Sequence, residues 1–411
     1  MYRQIQLRRG KEESLRRFHP WVFSGAIQHV EEGVAEGEVV RVVSSSGDFI
    51  AVGHYQQGSI AVRVLSFSDV AVDDTFWQSR LRSALKVRQA LGLCPPEGVV
   101  EAGAEQLTNA FRLVHGEGDH LPGLVIDIYG KTAVVQAHSI GMHLCRKQIA
   151  RVLEDVMKPR VLNIYYKSET TLPFMTADDM NGFLIGGSDD NMAVENGLRF
   201  RVDWLRGQKT GFFVDQRENR SLLERYAHGR KVLNMFCYTG GFSFYAMRGG
   251  AVSVHSVDSS AKAIELTKAN VELNFPADSR HQAFCEDAFR FLENIGKPTA
   301  GSPRTASGYD LIILDPPAFA KHRGALRNAL KGYTRLNQKA FEKIESGGIL
   351  FTFSCSQVVT KDHFRNAVFT AAALAHRKVR ILHQLHQPAD HPVNIYHPEG
   401  EYLKGLVLYV E

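Results

Sequence analysis

Two residues of this 411-residue chain join a reactive group to a position that would expose it. Tyr309-Asp310-Leu311-Ile312-Ile313-Leu314 reads as a buried strand that stops at Asp315-Pro316-Pro317-Ala318-Phe319-Ala320-Lys321. Gly347 to Ser354 reads as the next strand and stops at Cys355-Ser356. Two prolines after Asp315 keep the backbone from turning at once into a helix, which leaves the carboxylate facing the crevice at the strand ends. A thiol at the carboxyl end of the adjacent strand belongs to the same crevice. A thiolate there can add to an electron-poor ring while the acid donates to a ring nitrogen. With cytosine, addition at C6 makes C5 enamine-like and able to attack an electrophilic methyl. Donation from Asp315 to N3 offsets the developing charge, and loss of the C5 proton then expels the thiolate. The opposing reading of Cys355 is a small apolar residue packed at a strand end. That reading is assigned to Cys94, Cys145, Cys237 and Cys285, with Cys237 set apart because it lies in a glycine turn.

The turn belongs to a second unit. Lys231 to Phe236 is an apolar run opening into Cys237-Tyr238-Thr239-Gly240-Gly241-Phe242-Ser243, and Ala251 to Val257 is another that closes on Asp258. A strand, glycine turn, helix and strand ending in a carboxylate suits the paired hydroxyls of a ribose. The dinucleotide fingerprint with its three spaced glycines is absent, so S-adenosylmethionine, which has a ribose and no pyrophosphate, fits better than NAD. Cys285-Glu286-Asp287-Ala288-Phe289 ends the third strand, where Asp287 can accept from an adenine amino group or cap a helix. An Asp-Pro-Pro followed by an aromatic is characteristic of methyltransferases that act on bases.

These strands need a parallel sheet covered on both faces, and strands alternating with helices from Lys231 onward supply one. The chain is long enough for two or three domains, with 44% hydrophobic and 23% charged residues. Residues 1 to about 72 read as short strands of a small barrel. A helix follows from Asp73-Asp74-Thr75 to about Leu91, stopped by Gly92, with an apolar stripe of Phe76, Leu81, Ala84, Leu85 and Leu91. Arg80, Arg82, Lys86 and Arg88 fall on its other side and read as a solvated face. A hairpin about Tyr129-Gly130-Lys131, a helix from Met142 to Met157 and a strand at Val161 to Tyr166 complete a central α+β unit. Lys297 to Gly308 reads as a surface insertion.

The formal charge is a mild +5, but Arg3, Arg8, Arg9, Lys11, Arg16 and Arg17 crowd the first twenty residues against Glu12 and Glu13. Such clustering points to a polyanion. His19-Pro20-Trp21-Val22-Phe23 mixes rings with that charge, as RNA readers do, although at least one of Trp21 and Phe23 is expected in the barrel core. Five scattered cysteines, with no zinc spacing and no pairing, argue against a metal centre or disulfides and for a reducing cytoplasm. No apolar stretch approaches a membrane span. His391, in Asp390-His391-Pro392, is a candidate for a contact with the base or, as a lone histidine, for a structural hydrogen bond.

The chain resembles the RlmI-like family of ribosomal RNA large subunit cytosine-C5 methyltransferases over nearly its whole length. The resemblance rests on Gly10-Lys11-Glu12 with His19 to Phe23, Leu121-Pro122-Gly123-Leu124, Gln208 to Arg217 and Asn234 to Ser243. It continues through Asp315 to Phe319, Ser354-Cys355-Ser356, Asp390-His391-Pro392 and Pro398 to Gly405. It implies a multidomain α/β chain. The parts are a PUA-like β-barrel for RNA (1–72), a central α+β domain (73–190) and a Rossmann-like methyltransferase domain (191–411). The last of these would have a mostly parallel seven-stranded sheet whose final strand runs antiparallel. Carried over by motif, Lys209, Phe213 and Asp215 would line the methionine end of the cofactor. Asn234, Phe236, Thr239 and Gly240 would form its turn, Asp258 and Ser259 would meet the ribose, and Asp287 and Ala288 the adenine, with Asp315 closing the site. Cys355 would be the nucleophile. The RNA-binding set would be Arg8, Arg9, Lys11, Arg16, Arg17 and Trp21. His120 stands where the family pattern has glycine, and Ala318 where related enzymes carry a second cysteine, so another base must take the C5 proton. Family members often form homodimers.

The expected function is therefore S-adenosylmethionine-dependent formation of 5-methylcytosine in 23S ribosomal RNA, in the cytoplasm and without metal. The competitors are a guanine N-methyltransferase acting on ribosomal RNA and a non-catalytic RNA-binding assembly factor. A nicotinamide dehydrogenase stands further off.

Overall fold

The computed structural model describes residues 2–95, 107–172, 181–296, 308–320 and 322–411. Nearly all of the insertion read at Lys297 to Gly308 lies outside them. The chain divides into two compact units: Met1–Gly197 with Val202–Asp215 and Ala389–Gly400, and Leu198–Arg201 with Gln216–Pro388 and Glu401–Glu411.

In the first unit, β-branched runs make a six-stranded sheet ordered Trp21–Phe23, Ile60–Ser66, Phe49–Tyr55, Val39–Val43, Gln4–Leu7, Ile27–Val30. All pairings are antiparallel except Gln4–Leu7 with Val39–Val43. The two edge strands are consecutive in the chain, joined by the 3-10 turn Ser24–Ala26, so the sheet curls into the expected small barrel. Its core holds Ile5, Leu7, Val22, Val40, Val42, Val62 and Val64. Neither Trp21 nor Phe23 enters that core. Alternation along the strand turns Val22 inward, so Trp21 is left half-buried and Phe23 is 47% exposed.

A five-stranded sheet follows, ordered Asn181–Ile185, Asn163–Lys167, Thr132–Ala137, Leu124–Tyr129, Ala110–His115. The hairpin at Gly130-Lys131 forms as expected, with Tyr129 opposite Thr132. The helix expected from Met142 is two helices, Ile140–Leu144 and Arg146–Met157. Ser139 starts the first by accepting from the Met142 N–H, which moves the boundary two residues earlier.

Asp73 caps helix Asp74–Ala90 by accepting from the Phe76 N–H at 2.9 Å, as its type and position require. The buried stripe is Trp77, Leu81, Ala84 and Leu85; Phe76 is only partly buried and Leu91 is 40% exposed. Arg88 is fully buried, contrary to a solvated face for all four basic residues. Its guanidinium grips both oxygens of buried Asp119, at 2.5 and 2.9 Å, and donates to the Arg112 and Asp390 carbonyls. With the Ala84 carbonyl at 3.4 Å, five acceptors surround a planar fork, a geometry that a desolvated arginine needs and an ammonium cannot reproduce.

The second unit carries the parallel sheet. Its order is His281–Cys285, Ser253–Asp258, Lys231–Met235, Tyr309–Leu314, Ile344–Ser354, Lys404–Val410, Val379–His386. Lys404–Val410 is antiparallel to both neighbours, as the resemblance implies. The order reverses between Lys231–Met235 and Tyr309–Leu314, and a crevice opens there at the strand carboxyl ends. Among the described residues, no helix is long and apolar enough to cross a membrane.

Truncating one partner of a desolvated ion pair strands the other. Arg88→Ala is expected to lower unfolding free energy by ~3–5 kcal/mol in denaturant titrations. Arg82→Ala, at an exposed position of the same helix, is expected to change it by less than ~0.5 kcal/mol. A loss under ~1 kcal/mol for Arg88→Ala would contradict the buried network.

Candidate active site

The glycine turn is built on unusual backbone. Phe236 and Tyr238 have φ of 58° and 48°, and Gly240 has φ of 84° where the chain enters helix Gly241–Arg248. A Cβ at Gly240 would sit 2.7 Å from the Phe244 ring and 2.8 Å from Thr267 Cγ2, so this glycine is required by both conformation and space. Asp258 holds the turn from the next strand. Its Oδ2 accepts the Tyr238 N–H at 3.0 Å and its Oδ1 accepts the Ser260 N–H at 2.9 Å. Those bonds orient the carboxylate at the strand tip without using its remaining lone pairs.

Beneath the turn runs a polar chain inside the sheet. Asn234 Nδ2 donates to Ser243 Oγ at 2.9 Å, Ser243 Oγ meets Ser256 Oγ at 2.6 Å, and Ser256 Oγ lies 2.8 Å from His281 Nε2. Asn234 Oδ1 is buried with no hydrogen-bond partner, a costly state that a ligand donor in the crevice would relieve. Burial, reinforced by neighbouring His255, lowers the His281 pKa to about 4. Cys237 is buried below the turn, its thiol pKa raised by burial and by Asp258, which suits packing and not nucleophilic work. Asp287 caps helix Ala288–Asn294 by accepting the Arg290 N–H at 3.0 Å, and its exposed carboxylate keeps its second oxygen available. Ser259 follows Asp258 on the same exposed tip.

Across the reversal point, Gln216 Nε2 donates to Asp315 Oδ2 at 3.0 Å, and Asn219 Nδ2 in turn holds Gln216 Oε1 at 2.6 Å. Cys355 is half-buried, with Sγ 4.0 Å from the Pro316 carbonyl oxygen, so the thiol stands beside the Asp-Pro-Pro segment and not in packed hydrocarbon. Three contacts fix its backbone. Ser354 Oγ donates to Tyr333 Oη at 2.9 Å, Ser356 Oγ donates to the Ala320 carbonyl at 2.6 Å, and Lys404 Nζ donates to the Ser356 and Val359 carbonyls. Burial brings the Lys404 pKa down to about 8, a shift that nearby Cys355 opposes, and burial raises the Tyr333 hydroxyl to about 12. Sequence reasoning missed Gln216, Tyr333 and Lys404 as supports. Lys404 lay inside a quoted motif, whereas Tyr333 sits unmarked on the buried face of an amphipathic helix.

The segment expected to line the methionine end belongs to the first unit, where its own anchors are visible. Thr210 Oγ1 donates to buried Asp127 at 2.6 Å, and Tyr129 Oη donates to the Phe212 carbonyl at 3.1 Å. Lys209 takes φ of 52° and Gly211 φ of 117°, where a Cβ would strike Trp204. His391 makes a structural contact: its Nδ1 lies 3.2 Å from Asp390 Oδ1, and Asp390 Oδ2 accepts the Arg112 N–H. His120 has φ of 57°, which explains why a glycine is expected there. Arg8, Arg9, Lys11, Arg16 and Arg17 are all exposed on the barrel; Arg17 pairs with Glu13 at 2.6 Å.

Comparison with known proteins places the chain in a family. A model of S-adenosylmethionine-dependent methyltransferases matches residues 160–396, and a PUA-like domain model matches residues 5–67. Proteins named ribosomal RNA large subunit methyltransferase I are 37% identical in Alteromonas mediterranea, with 100% of this chain and 99% of that one covered. The Tolumonas auensis relative is 38% identical over 98% of each chain, and the Escherichia coli relative 35% over 99% of each. The chain belongs to this methyltransferase family. S-adenosylmethionine is the family's cofactor, and the crevice fits it: a glycine cradle, a strand-tip carboxylate and an unpartnered amide oxygen meet at the reversal point. The fold agrees with that of a solved SAM-dependent methyltransferase from Streptococcus mutans, at TM-score 0.81 and 23% identity with 99% of each chain covered. A second solved methyltransferase, complexed with SAH, gives TM-score 0.81 at 24% identity and the same coverage.

Gly240→Ala is expected to cost ~1–3 kcal/mol in thermal unfolding and to weaken S-adenosylhomocysteine binding measured by calorimetry; unchanged affinity would argue against the cradle. His281 is neutral in the folded chain down to about pH 4 but titrates near 6.5 when unfolded. Between those values the unfolded chain binds more protons, so this contribution is complete above pH 6.5 and is lost as pH falls toward 4. His281→Gln should flatten the decline of stability between pH 6.5 and 4.5, and parallel pH profiles would refute the assignment.

Proposed function

We propose that this chain forms 5-methylcytosine in large-subunit (23S) ribosomal RNA through a covalent adduct between Cys355 and C6 of the target base. The observation that carries the reading is the half-buried thiol of Cys355 at a strand end beside the Asp315-Pro316-Pro317 segment, 4.0 Å from the Pro316 carbonyl oxygen. The substrate class is supported by the names of the full-length relatives, which are ribosomal RNA large subunit methyltransferases. The exposed Arg8, Arg9, Lys11, Arg16 and Arg17, with Trp21 beside them in sequence, give the PUA-like barrel a cationic face suited to phosphates.

Asn234, Phe236, Thr239 and Gly240 would cradle the cofactor, Asp258 and Ser259 would meet its ribose, and Asp287 and Ala288 its adenine. Lys209, Phe213 and Asp215 would face its methionine end. When bound, S-adenosylmethionine supplies an electrophilic sulfonium methyl. The protein does the rest. The Cys355 thiolate adds to C6, and the ring electrons shift toward C5. Asp315, oriented by the Gln216 amide, would act as the acid that donates to N3. Tyr333, Ala320 and Lys404 hold the Cys355 backbone so that the attacking sulfur needs little reorganisation. After substitution at C5, a base would take the C5 proton, the C5–C6 double bond would re-form with expulsion of the Cys355 thiolate, and the N3 proton would return to Asp315. All five cysteines are free, which accords with a cytoplasmic enzyme.

The test is transfer of labelled methyl to ribosomal RNA from cells lacking the protein, with product nucleosides resolved by mass spectrometry. Cys355→Ala should retain cofactor binding and lose turnover by at least ~10³-fold. The product should be 5-methylcytidine. A methylguanosine product with activity retained in Cys355→Ala would replace this reading with guanine N-methylation.

A further inference from the structure

Outside the methyltransferase crevice, the first unit brings together two histidines and a carboxylate from distant parts of the sequence. His19 opens the strand Trp21–Phe23 of the barrel, and His397 and Glu399 lie in the turn at Pro398–Gly400. The donor atoms of His19, His397 and Glu399 all lie within 4.8 Å of one another. His19 Nε2 is 3.6 Å from Glu399 Oε1, and His397 Nε2 is 3.7 Å from Glu399 Oε2. Both spacings exceed a hydrogen bond and approach the edge of a tetrahedron of nitrogen and oxygen donors about a divalent ion, ~3.4 Å for bonds of ~2.0–2.1 Å.

A second observation is independent of that spacing. His397 is only 3% exposed, and both its ring nitrogens are buried without a hydrogen-bond partner. A buried imidazole with two unsatisfied nitrogens is expensive, and a metal ion at Nε2 would supply the missing partner. His19 Nδ1 meets the Trp21 backbone, 3.3 Å from its nitrogen and 3.4 Å from its carbonyl oxygen, and Nε2 is turned toward Glu399; the tautomer protonated at Nδ1 donates to that carbonyl and leaves Nε2 free for an ion. The turn is set in advance by bonds from the His397 N–H to the Asn394 carbonyl and from the Gly400 N–H to the His397 carbonyl. Each histidine precedes a proline, which restricts its backbone to extended conformations and narrows the directions available to its ring.

We propose that His19 Nε2, His397 Nε2 and the Glu399 carboxylate form a binding site for one divalent transition-metal ion of the zinc class, completed by water. The ion pins the turn at 397–399 to the start of the edge strand Trp21–Phe23. The absence of zinc-spaced cysteines does not bear on it, because its donors are nitrogen and oxygen. The proposal is independent of the methyl-transfer chemistry.

The test uses the full-length chain, stripped with a chelator and titrated with Zn²⁺ alone by calorimetry. The Trp21 ring packs 4.3 Å from His397, so tryptophan fluorescence gives a second readout. One saturable ion per chain is expected, weakened at least ~10-fold in His397→Ala and in Glu399→Gln and unchanged in His29→Ala, an exposed histidine elsewhere on the barrel. Glu399 is half-exposed, so Glu399→Gln keeps the test valid if His397→Ala fails to fold. No saturable binding, or equal binding in all variants, would overturn the site.

Discussion

The reversal of strand order between Lys231–Met235 and Tyr309–Leu314 is the constraint on which the second unit depends. Helices connecting parallel strands leave the switch point in opposite directions, so no helix closes over the strand tips there. What meets at those tips is a glycine turn with a left-handed backbone, a carboxylate that ties it down, and a second carboxylate followed by prolines. Each feature is poorly tolerated elsewhere in a sheet. In this crevice positive φ, an unpartnered Asn234 oxygen and a strand that cannot continue into a helix lie together.

Around that crevice, positioning matters more than charge. Cys355 owes its place to a hydroxyl from Tyr333, a carbonyl from Ala320 and the ammonium of Lys404, all of which act on the backbone either side of it. Lys404 enters on the antiparallel strand Lys404–Val410, whose Lys404 pairs with Ser354. The departure of the final strand from the parallel direction thus brings a cation against the thiol-bearing loop. The first unit uses the same economy: buried Arg88 donates to the Arg112 and Asp390 carbonyls, and buried Asp127 accepts from the Arg112 and Thr210 side chains.

Much of the architecture was legible because local signals agreed with the final fold. Asp73 as a helix cap, Gly130-Lys131 as a hairpin turn and alternating strands and helices after Lys231 all arise from short-range chemistry that tertiary packing leaves in place. Misreadings occurred where a side chain's surroundings are distant in sequence. Arg88 looked solvated until Asp119 and Asp390, residues far along the chain, enclosed it. At least one of Trp21 and Phe23 looked like a core residue until strand alternation placed Val22 inside instead. The segment Ala389–Gly400 joins the first unit across the long stretch Gln216–Pro388 of the second, which no local pattern announces.

By itself the sequence determined the class of the enzyme and where its candidate reactive groups lie along the chain. The glycine turn, the strand-end acids and the Asp-Pro-Pro and Ser-Cys-Ser motifs are contiguous, and backbone chemistry ties each to a strand tip. Only the tertiary structure decided which groups support them and which distant side chains share a site. Tyr333 beneath Cys355 and His19 beside His397 meet through packing over long loops, and the free energy that selects such meetings is summed over the whole core, not written in any short stretch of residues.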